Sequence, residues 1–403
     1  MVVQLTHEWS RKAFSKFYQE LIVRQDLNRV ACVTMKRYFQ FFAKLDSVFD
    51  NPKKITAEYL INTFGTNGLR LHQISYGFLV KEKLIPLISN KARADSSGLR
   101  YQRKLLERAK GTWFETLTER YYLHRMKVHE RYIRRGWGEK RQRFLQVTIS
   151  AELRTALAFL KFITEKRCVS SLQELEQSHY DLFVKEHSGL QSNLGAFIRY
   201  LNRKEKLFNR LSYTSVPASI SEDTFLPRSK QDELIQLWMN PSDKMLKESL
   251  ICLLMALYAQ LPHRVVQIKL QDIAPANDGS YRLALGQTEI SLDRRVGNLL
   301  GRYLSARRAL SMMEDAKDNE YLFPGRRYGY HMRPAALTNY LKKHGVKAPQ
   351  LYATAIYKFY LNGLRHPKVL MKAFGISVAT AIKYLNIIDP RLVSEINKKM
   401  ANA

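Results

Sequence analysis

The chain has 403 residues, enough for two or three domains with cores of their own. Apolar residues make up 45% of it, the share of a folded protein, which excludes an intrinsically disordered chain. A formal charge of +30 calls for a polyanionic partner, because every phosphate that a cation neutralises releases condensed counterions.

Residues 1–90 read as an N-terminal helical module. Tyr38, Phe39, Phe41, Phe42 and Leu45 give one broad apolar face, Ile55, Tyr59, Leu60 and Phe64 a second, and Tyr76 to Leu84 a third. Residues 91–147 read as a basic helical arm, in which 91–143 holds 16 Lys/Arg against 6 Asp/Glu. Arg100, Lys104 and Arg108 recur every four residues and form one stripe on a helix, with Arg103 beside it. Arg131, Arg134, Arg135, Lys140, Arg141 and Arg143 continue the charge. Trp113, Phe114, Tyr121, Tyr122, Tyr132 and Trp137 interleave with these cations. Such a pattern suits an arm that tracks a nucleic-acid backbone, or a solvated charged helix whose aromatics are core.

Residues 148–212 read as a second small helical unit, with Leu153, Leu157 and Leu160 on one face and an amphipathic helix from Leu194 to Leu207 that carries Arg199 and Arg203. This unit echoes the first. Tyr38 to Phe42 has a counterpart in Ala158 to Phe162, and Tyr76-Gly77-Phe78 in Leu194-Gly195-Ala196. Ser215, Pro217, Ser219, Ser221 and Pro227 then mark 213–228 as a linker.

From 229 to 403 the pattern changes. Two helices (Lys230 to Trp238, Asp243 to Ala259) precede a turn, Gln260-Leu261-Pro262-His263-Arg264, and the segment Leu270-Gln271-Asp272-Ile273. Tyr281 to Leu285 and Thr288 to Leu292 alternate around Gly286-Gln287, a two-residue hairpin signal. A helix from Val296 to Arg308, the run Tyr321-Leu322-Phe323-Pro324-Gly325 and four short helices with Gly345, Gly363 and Gly375 as C-caps complete the chain. Cys32, Cys168 and Cys252 lack CxxC spacing and read as reduced thiols of a cytoplasmic protein. The apolar run Leu250 to Leu261 is too short to span a bilayer, and Met1 to Ser10 has no apolar core of signal-peptide length. No phosphate loop, dinucleotide fingerprint or histidine pair of metal-ligand spacing occurs, so neither cofactor nor metal is expected.

The order of core helix, arginine-bearing turn, "L..DI", hairpin, "LFPG" and late tyrosine resembles the tyrosine recombinase/integrase superfamily over about 180 residues. With the unit at 148–212, which resembles that family's core-binding domain, the likeness extends to roughly 255 residues. The resemblance implies a mainly α fold with a small β-hairpin or sheet. In it, a tyrosine recombinase-like catalytic domain (α+β) follows helical SAM-like core-binding modules. In active members a tyrosine attacks a phosphodiester, arginines and a histidine neutralise the developing charge, and a hairpin lysine protonates the leaving oxygen.

This chain keeps the frame and departs at most of those positions. Arg264 best matches the first arginine, in a turn about two residues short, where it would bind a phosphate or pair with Asp272. No lysine occurs between Lys269 and Lys317, and a guanidinium such as Arg282 or Arg294 does not replace one, because it scarcely gives up a proton. The His-x-x-Arg box reads Pro349-Gln350-Leu351-Tyr352, and Gly363-Leu364-Arg365-His366 lies too close to the late tyrosine to serve instead. Tyr384 falls one residue short of the nucleophile spacing and reads as either nucleophile or helix-packing residue. The same stretch also reads as a helix-turn-helix that would point Ser377, Thr380 and Lys383 at DNA.

The expectation is thus a DNA-binding protein acting in site-specific recombination or integration of a mobile element. Its partners would be double-stranded DNA and either an active recombinase or further copies assembled on DNA, with no membrane, in the cytoplasm at the nucleoid. It would be catalytically degenerate and serve as an accessory or architectural subunit. The alternatives are an active recombinase with a rearranged site that uses Tyr384, or a helix-turn-helix regulator.

Overall fold

The computed structural model describes residues 1–24, 33–136, 145–207, 209–213, 224–276, 280–285, 288–308, 313–374 and 376–389. Lys140, Arg141, Arg143, the hairpin turn Gly286-Gln287, Gly375 and most of the 213–228 linker lie outside them. The chain divides into two compact units. One collects Met1–Lys54, His72–Ile85 and Ser219–Ala403, the other Ile55–Leu71 and Pro86–Ala218.

The N-terminal helices are α1 (Glu8–Arg24), α2 (Val33–Asp46), α3 (Ala57–Leu71) and α4 (Gln73–Lys81). In the first unit α1, α2 and α4 meet through edge-on aromatic contacts among Phe14, Phe17, Tyr38, Phe42 and Phe78. Asp46, only 3% exposed, closes the start of α1 by accepting from the Thr6 and His7 amides at 2.7 and 2.9 Å and from the Ser10 hydroxyl at 2.6 Å. Burial alone would raise the Asp46 carboxyl, but the donors from Ser10, Thr6 and His7 outweigh it and hold it at about 2. A depressed carboxylate stabilises above its unfolded value near pH 4, and that stabilisation is lost as pH falls toward 2. Asp46→Asn should therefore cost about 2 kcal/mol at neutral pH in urea unfolding, with the gap to wild type closing below about pH 4.

The second unit holds α3, α5 (Asn90–Glu107), α6 (Glu115–Arg134), α7 (Gln146–Arg167), α8 (Gln177–Glu186) and α9 (Gln191–Tyr200), followed by a π-helical turn, Leu201–Glu205. The described part of 91–147, read from its charge as a separate arm, instead shares a core with 148–212. Leu105, Ala109, Phe114, Leu117 and Tyr121 are buried against Leu153, Phe159, Leu160, Phe197 and Leu201. The physical reason is that α5 and α6 are two-sided: one stripe is basic, and the other is apolar enough to need covering. Gln102 secures the seam, donating to the Gln146 carbonyl and side-chain oxygens at 3.0 Å and to the Ser150 hydroxyl at 3.1 Å. Of the interleaved aromatics, Trp113, Phe114, Tyr121 and Tyr122 follow the core reading. Phe114 and Tyr121 are buried, and the Trp113 indole packs on the same cluster while donating to Thr164 at 2.9 Å.

The element order of the two helical stretches repeats. A 3-10 turn, Pro52–Lys54, separates α2 from α3 and α4, and another, Leu172–Glu174, separates α7 from α8 and α9. Gly77 and Gly195 occupy matching places, and each receives a tyrosine. A Cβ on Gly77 would stand 3.0 Å from that of Tyr328, and one on Gly195 would collide with the Tyr213 ring.

The rest of the first unit is α10 (Arg228–Met239), α11 (Leu246–Tyr258), α12 (Pro262–Val265), strands β1 (Ile273–Pro275), β2 (Tyr281–Leu285) and β3 (Thr288–Ser291), α13 (Arg294–Ala306), α14 (Pro334–Lys343), α15 (Ala348–Leu361), α16 (Pro367–Phe374) and α17 (Val378–Ile388). Helix α11 is central, with every residue from Leu250 to Ala256 buried. The strands form an antiparallel sheet in chain order, with Leu283 opposite both Ile273 and Ile290. Arg307 anchors the segment before Gly325 by donating to the carbonyls of Asn319 and Tyr321 at 2.6 Å. A separate cluster, Tyr352, Ile356, Leu370, Phe374, Ala381, Tyr384 and Leu385, packs the last helices onto α15.

Candidate functional site

Two places gather chemistry, one in each unit. In the second unit the C-terminal half of α6 and the end of α9 with its π turn form a series of basic concavities. One, of about 770 Å³, is lined by Arg120, Leu123, His124, Lys127, Glu130, Arg131, Arg134, Tyr200, Lys204 and Glu205. Another, of about 1010 Å³, is lined by Ile198, Arg199, Asn202, Arg203, Lys206, Leu207, Arg210, Leu211 and Tyr213, without a carboxylate. A smaller one of about 220 Å³ shares walls with both.

Local packing explains why cations gather there. Positions 120, 124, 127, 131 and 134 lie three or four apart, so one face of α6 carries Arg120, His124, Lys127, Arg131 and Arg134. Arg203 lies four residues after Arg199 and so shares its helix face, and the π turn, which inserts an extra residue into the repeat, brings Lys204 to the same side. Glu205 braces the turn by accepting from the Tyr200 phenol at 2.5 Å and from Arg120 at 2.8 Å. Beneath, Arg125 forms a bidentate pair with Glu152 at 2.7 and 2.8 Å, its side chain 14% exposed and that of Glu152 10%. Burial pushes the Glu152 carboxyl up against the opposing pull of Arg125. Burial, then Arg125, Lys204, Arg131 and Lys127, press the His124 imidazole below its ordinary value, as expected where positive potential accumulates.

The exit of the chain is clasped onto this surface. Asn202 bonds both the amide and the carbonyl of Leu211, at 3.1 and 2.7 Å. Gln177 accepts from the Ser212 amide at 2.8 Å, and the Arg199 guanidinium lies 5.4 Å from the centre of the Tyr213 ring.

Of the cations singled out in the sequence, Arg131, Arg134, Arg199 and Arg203 line these concavities. Arg100, Arg103, Lys104 and Arg108 do not. They are exposed along α5, where Arg100 lies over Gly65, a residue with φ +62° that leaves room for the guanidinium. Arg135 is exposed just past α6. Arg120, Lys127, Lys204, Lys206 and Arg210 were not singled out, although the spacing along α6 carried the signal for the first two.

In the first unit Arg264, Tyr352 and Tyr384 come together. The Arg264 guanidinium donates to the Phe374 carbonyl at 3.0 Å, at the end of α16, and so caps that helix. Asp272 accepts from the Lys269 amide at 2.8 Å. Tyr384 is 8% exposed and Tyr352 4%, with ring centres 6.0 Å apart. Burial raises the Tyr384 phenol. Burial and Tyr384 raise that of Tyr352, with Arg264 opposing. The Tyr352 hydroxyl has no hydrogen-bond partner among the described residues. Around them the side chains are committed to structure. Gln350 caps α15 by accepting from the Lys347 amide at 2.9 Å, and Arg365 lies over the Tyr360 ring at 5.6 Å. Ser377 caps α17, accepting from the Thr380 amide at 3.1 Å, and the two hydroxyls are 2.8 Å apart. Lys383 is half-buried.

Among the described residues no helix is long and apolar enough to cross a membrane. No protein-family profile matches the chain, and no curated protein matches its sequence. Solved structures do. The site-specific recombinase XerH bound to its difH substrate is 16% identical, with a TM-score of 0.46 and coverage of 77% of this chain and 98% of that one. The Tn1549 transposon integrase in complex with circular-intermediate DNA is 13% identical, with a TM-score of 0.42 over 64% and 93%. A lambda integrase dimer bound to a COC′ core site is 13% identical, with a TM-score of 0.39 over 67% and 95%, and each of these three similar structures is that of a recombinase or integrase.

Proposed function

We propose that this chain binds duplex DNA through the basic concavities of its second unit and serves site-specific recombination or integration of a mobile element without cutting DNA itself. The observation that carries the reading is the set of cations on α6, α9 and the π turn that line open concavities, one of which has no carboxylate in its wall. Concave basic walls focus the field of a polyanion and suit a phosphate backbone.

The non-cutting part rests on the first unit. Both tyrosines near Arg264 are buried, and Arg264 is engaged as a helix cap. Gln350 stands where the resembling family has a charged box, and the hairpin has no lysine. Each missing charge donor costs a transition state about 3 kcal/mol, so several missing together leave little catalysis. The protein then acts as an accessory or architectural subunit beside an active recombinase, or as further copies on DNA.

A second reading, an enzyme with a rebuilt centre, is favoured by the grouping of Arg264, Tyr352 and Tyr384. Incubation with supercoiled plasmid and quenching in SDS separates the two. The expected result is salt-sensitive binding with neither relaxation nor protein-linked DNA. A covalent adduct that disappears in Tyr384→Phe would overturn the non-cutting reading.

A further inference from the structure

The small concavity at the centre of the basic surface has features that the two larger ones lack. Its volume of about 220 Å³ is below the range of pockets for drug-sized ligands and suits one compact group with a few waters. His124 and Arg125 of α6, Arg199 and Tyr200 of α9, and Arg203 and Lys204 of the π turn surround it, and the small side chain of Ala196 leaves it open. It shares Arg199 and Arg203 with one larger concavity, and His124, Tyr200 and Lys204 with the other. A strand following the basic surface from one side to the other therefore passes over it.

We propose that this concavity seats a single phosphodiester of the DNA backbone, and that His124 takes up a proton from solvent as the phosphate arrives. The inference deepens the DNA-binding reading and rests on it. Two geometric facts support it. Arg203 and Lys204 make no ion pair among the described residues, so a phosphate meets them without displacing a carboxylate. Three carboxylates of α6, α7 and the π turn are already engaged, Glu152 by Arg125, Glu205 by Arg120 and Tyr200, and Glu130 by Arg134.

The His124 ring lies 5.1 Å from that of Tyr200, half-buried, facing Lys204 of the π turn and Arg125, Lys127 and Arg131 of its own helix. Without an anion these cations and burial favour the neutral ring. A bound phosphate reverses the balance, because a nearby opposite charge favours the protonated form. The pKa in the complex then exceeds that in the free protein. Affinity rises as pH falls through the value in the complex, and levels off below the value in the free protein. Each unit between the two is a factor of about ten.

The test follows the imidazole Cε1–H resonances of the full chain by NMR, alone, with a duplex of about 20 base pairs and with inorganic phosphate, at constant ionic strength. The expected result is a rise of about one unit in the His124 midpoint with duplex, and a gain in wild-type affinity of up to about tenfold as pH falls, which His124→Gln lessens. Arg203→Gln, an exposed position with little bearing on folding, should shrink the same midpoint shift. Duplex binding that leaves the His124 titration unmoved would overturn the inference while leaving DNA binding intact. A shift with inorganic phosphate and none with duplex would overturn the backbone seat. No duplex binding at any pH would sink the DNA-binding reading and this inference with it.

Discussion

Reversing Arg199, Arg203 and Lys204 together to Glu should weaken duplex binding at about 0.1 M salt by about 1000-fold or more. These three come from the end of α9 and the π turn and meet at one concavity, so a strand that touches one is within reach of all. A hydrogen bond to a charged group contributes about 1.5 kcal/mol or more, and reversal adds repulsion to the loss. The slope of log affinity against log salt should become shallower by about 2.7, because each contact removed releases about 0.9 fewer counterions. Fluorescence anisotropy with an arbitrary duplex across a salt series measures both quantities. The matching reversal of Arg100, Lys104 and Arg108 should do less, because those side chains stand along exposed α5 and line none of the concavities. Equal loss from both sets would return the α5 stripe to the interface.

Glu152→Gln should destabilise the second unit by about 3 kcal/mol or more, read as a lowered urea midpoint. The Arg125–Glu152 pair is bidentate and nearly enclosed, and removing the acid strands a guanidinium that cannot shed its charge. Arg125→Met should cost less. The carboxyl left behind is already pushed upward by burial, and it escapes its own charge by taking a proton. The order of the two costs is therefore set by which partner can become neutral. Because Glu152 lies behind the basic surface, the folded Glu152→Gln protein should bind DNA no more weakly than wild type. Weakened binding would place Glu152 in a positioning role for Arg125.

The helices of the first unit are readable from periodicity because their faces are clean: Leu246, Leu250, Leu253, Leu254 and Leu257 announce α11 without help from tertiary structure. The seam between α5 and α7 is not readable in that way. A dense run of Lys and Arg hides the smaller apolar stripe of Leu105, Ala109, Leu117 and Tyr121, and only packing shows that the stripe is filled. The cations of α6 obeyed a helical spacing and were available to a stricter count. Lys204, Lys206 and Arg210 were not, since a π turn resets the phase on which such counting depends. Arg264 illustrates a different limit. Its partner carbonyl belongs to Phe374, 110 residues further along, and no local pattern specifies a contact of that range.

The matching glycines of the two helical stretches are each covered by a tyrosine, but the residue one turn on differs. Beside Gly195 the next turn presents Arg199 to an open basic surface, whereas beside Gly77 the equivalent place is Lys81, whose ammonium is spent on Glu20 at 2.9 Å. Tyr328, from the same compact unit as Gly77, lies against that glycine and seals the helix face. Lys81 is thus spent within the first unit, whereas Arg199 lines a concavity. Substitutions on α4 should register as lost cohesion of the first unit, and those on α9, if the proposed DNA surface holds, as weaker duplex binding.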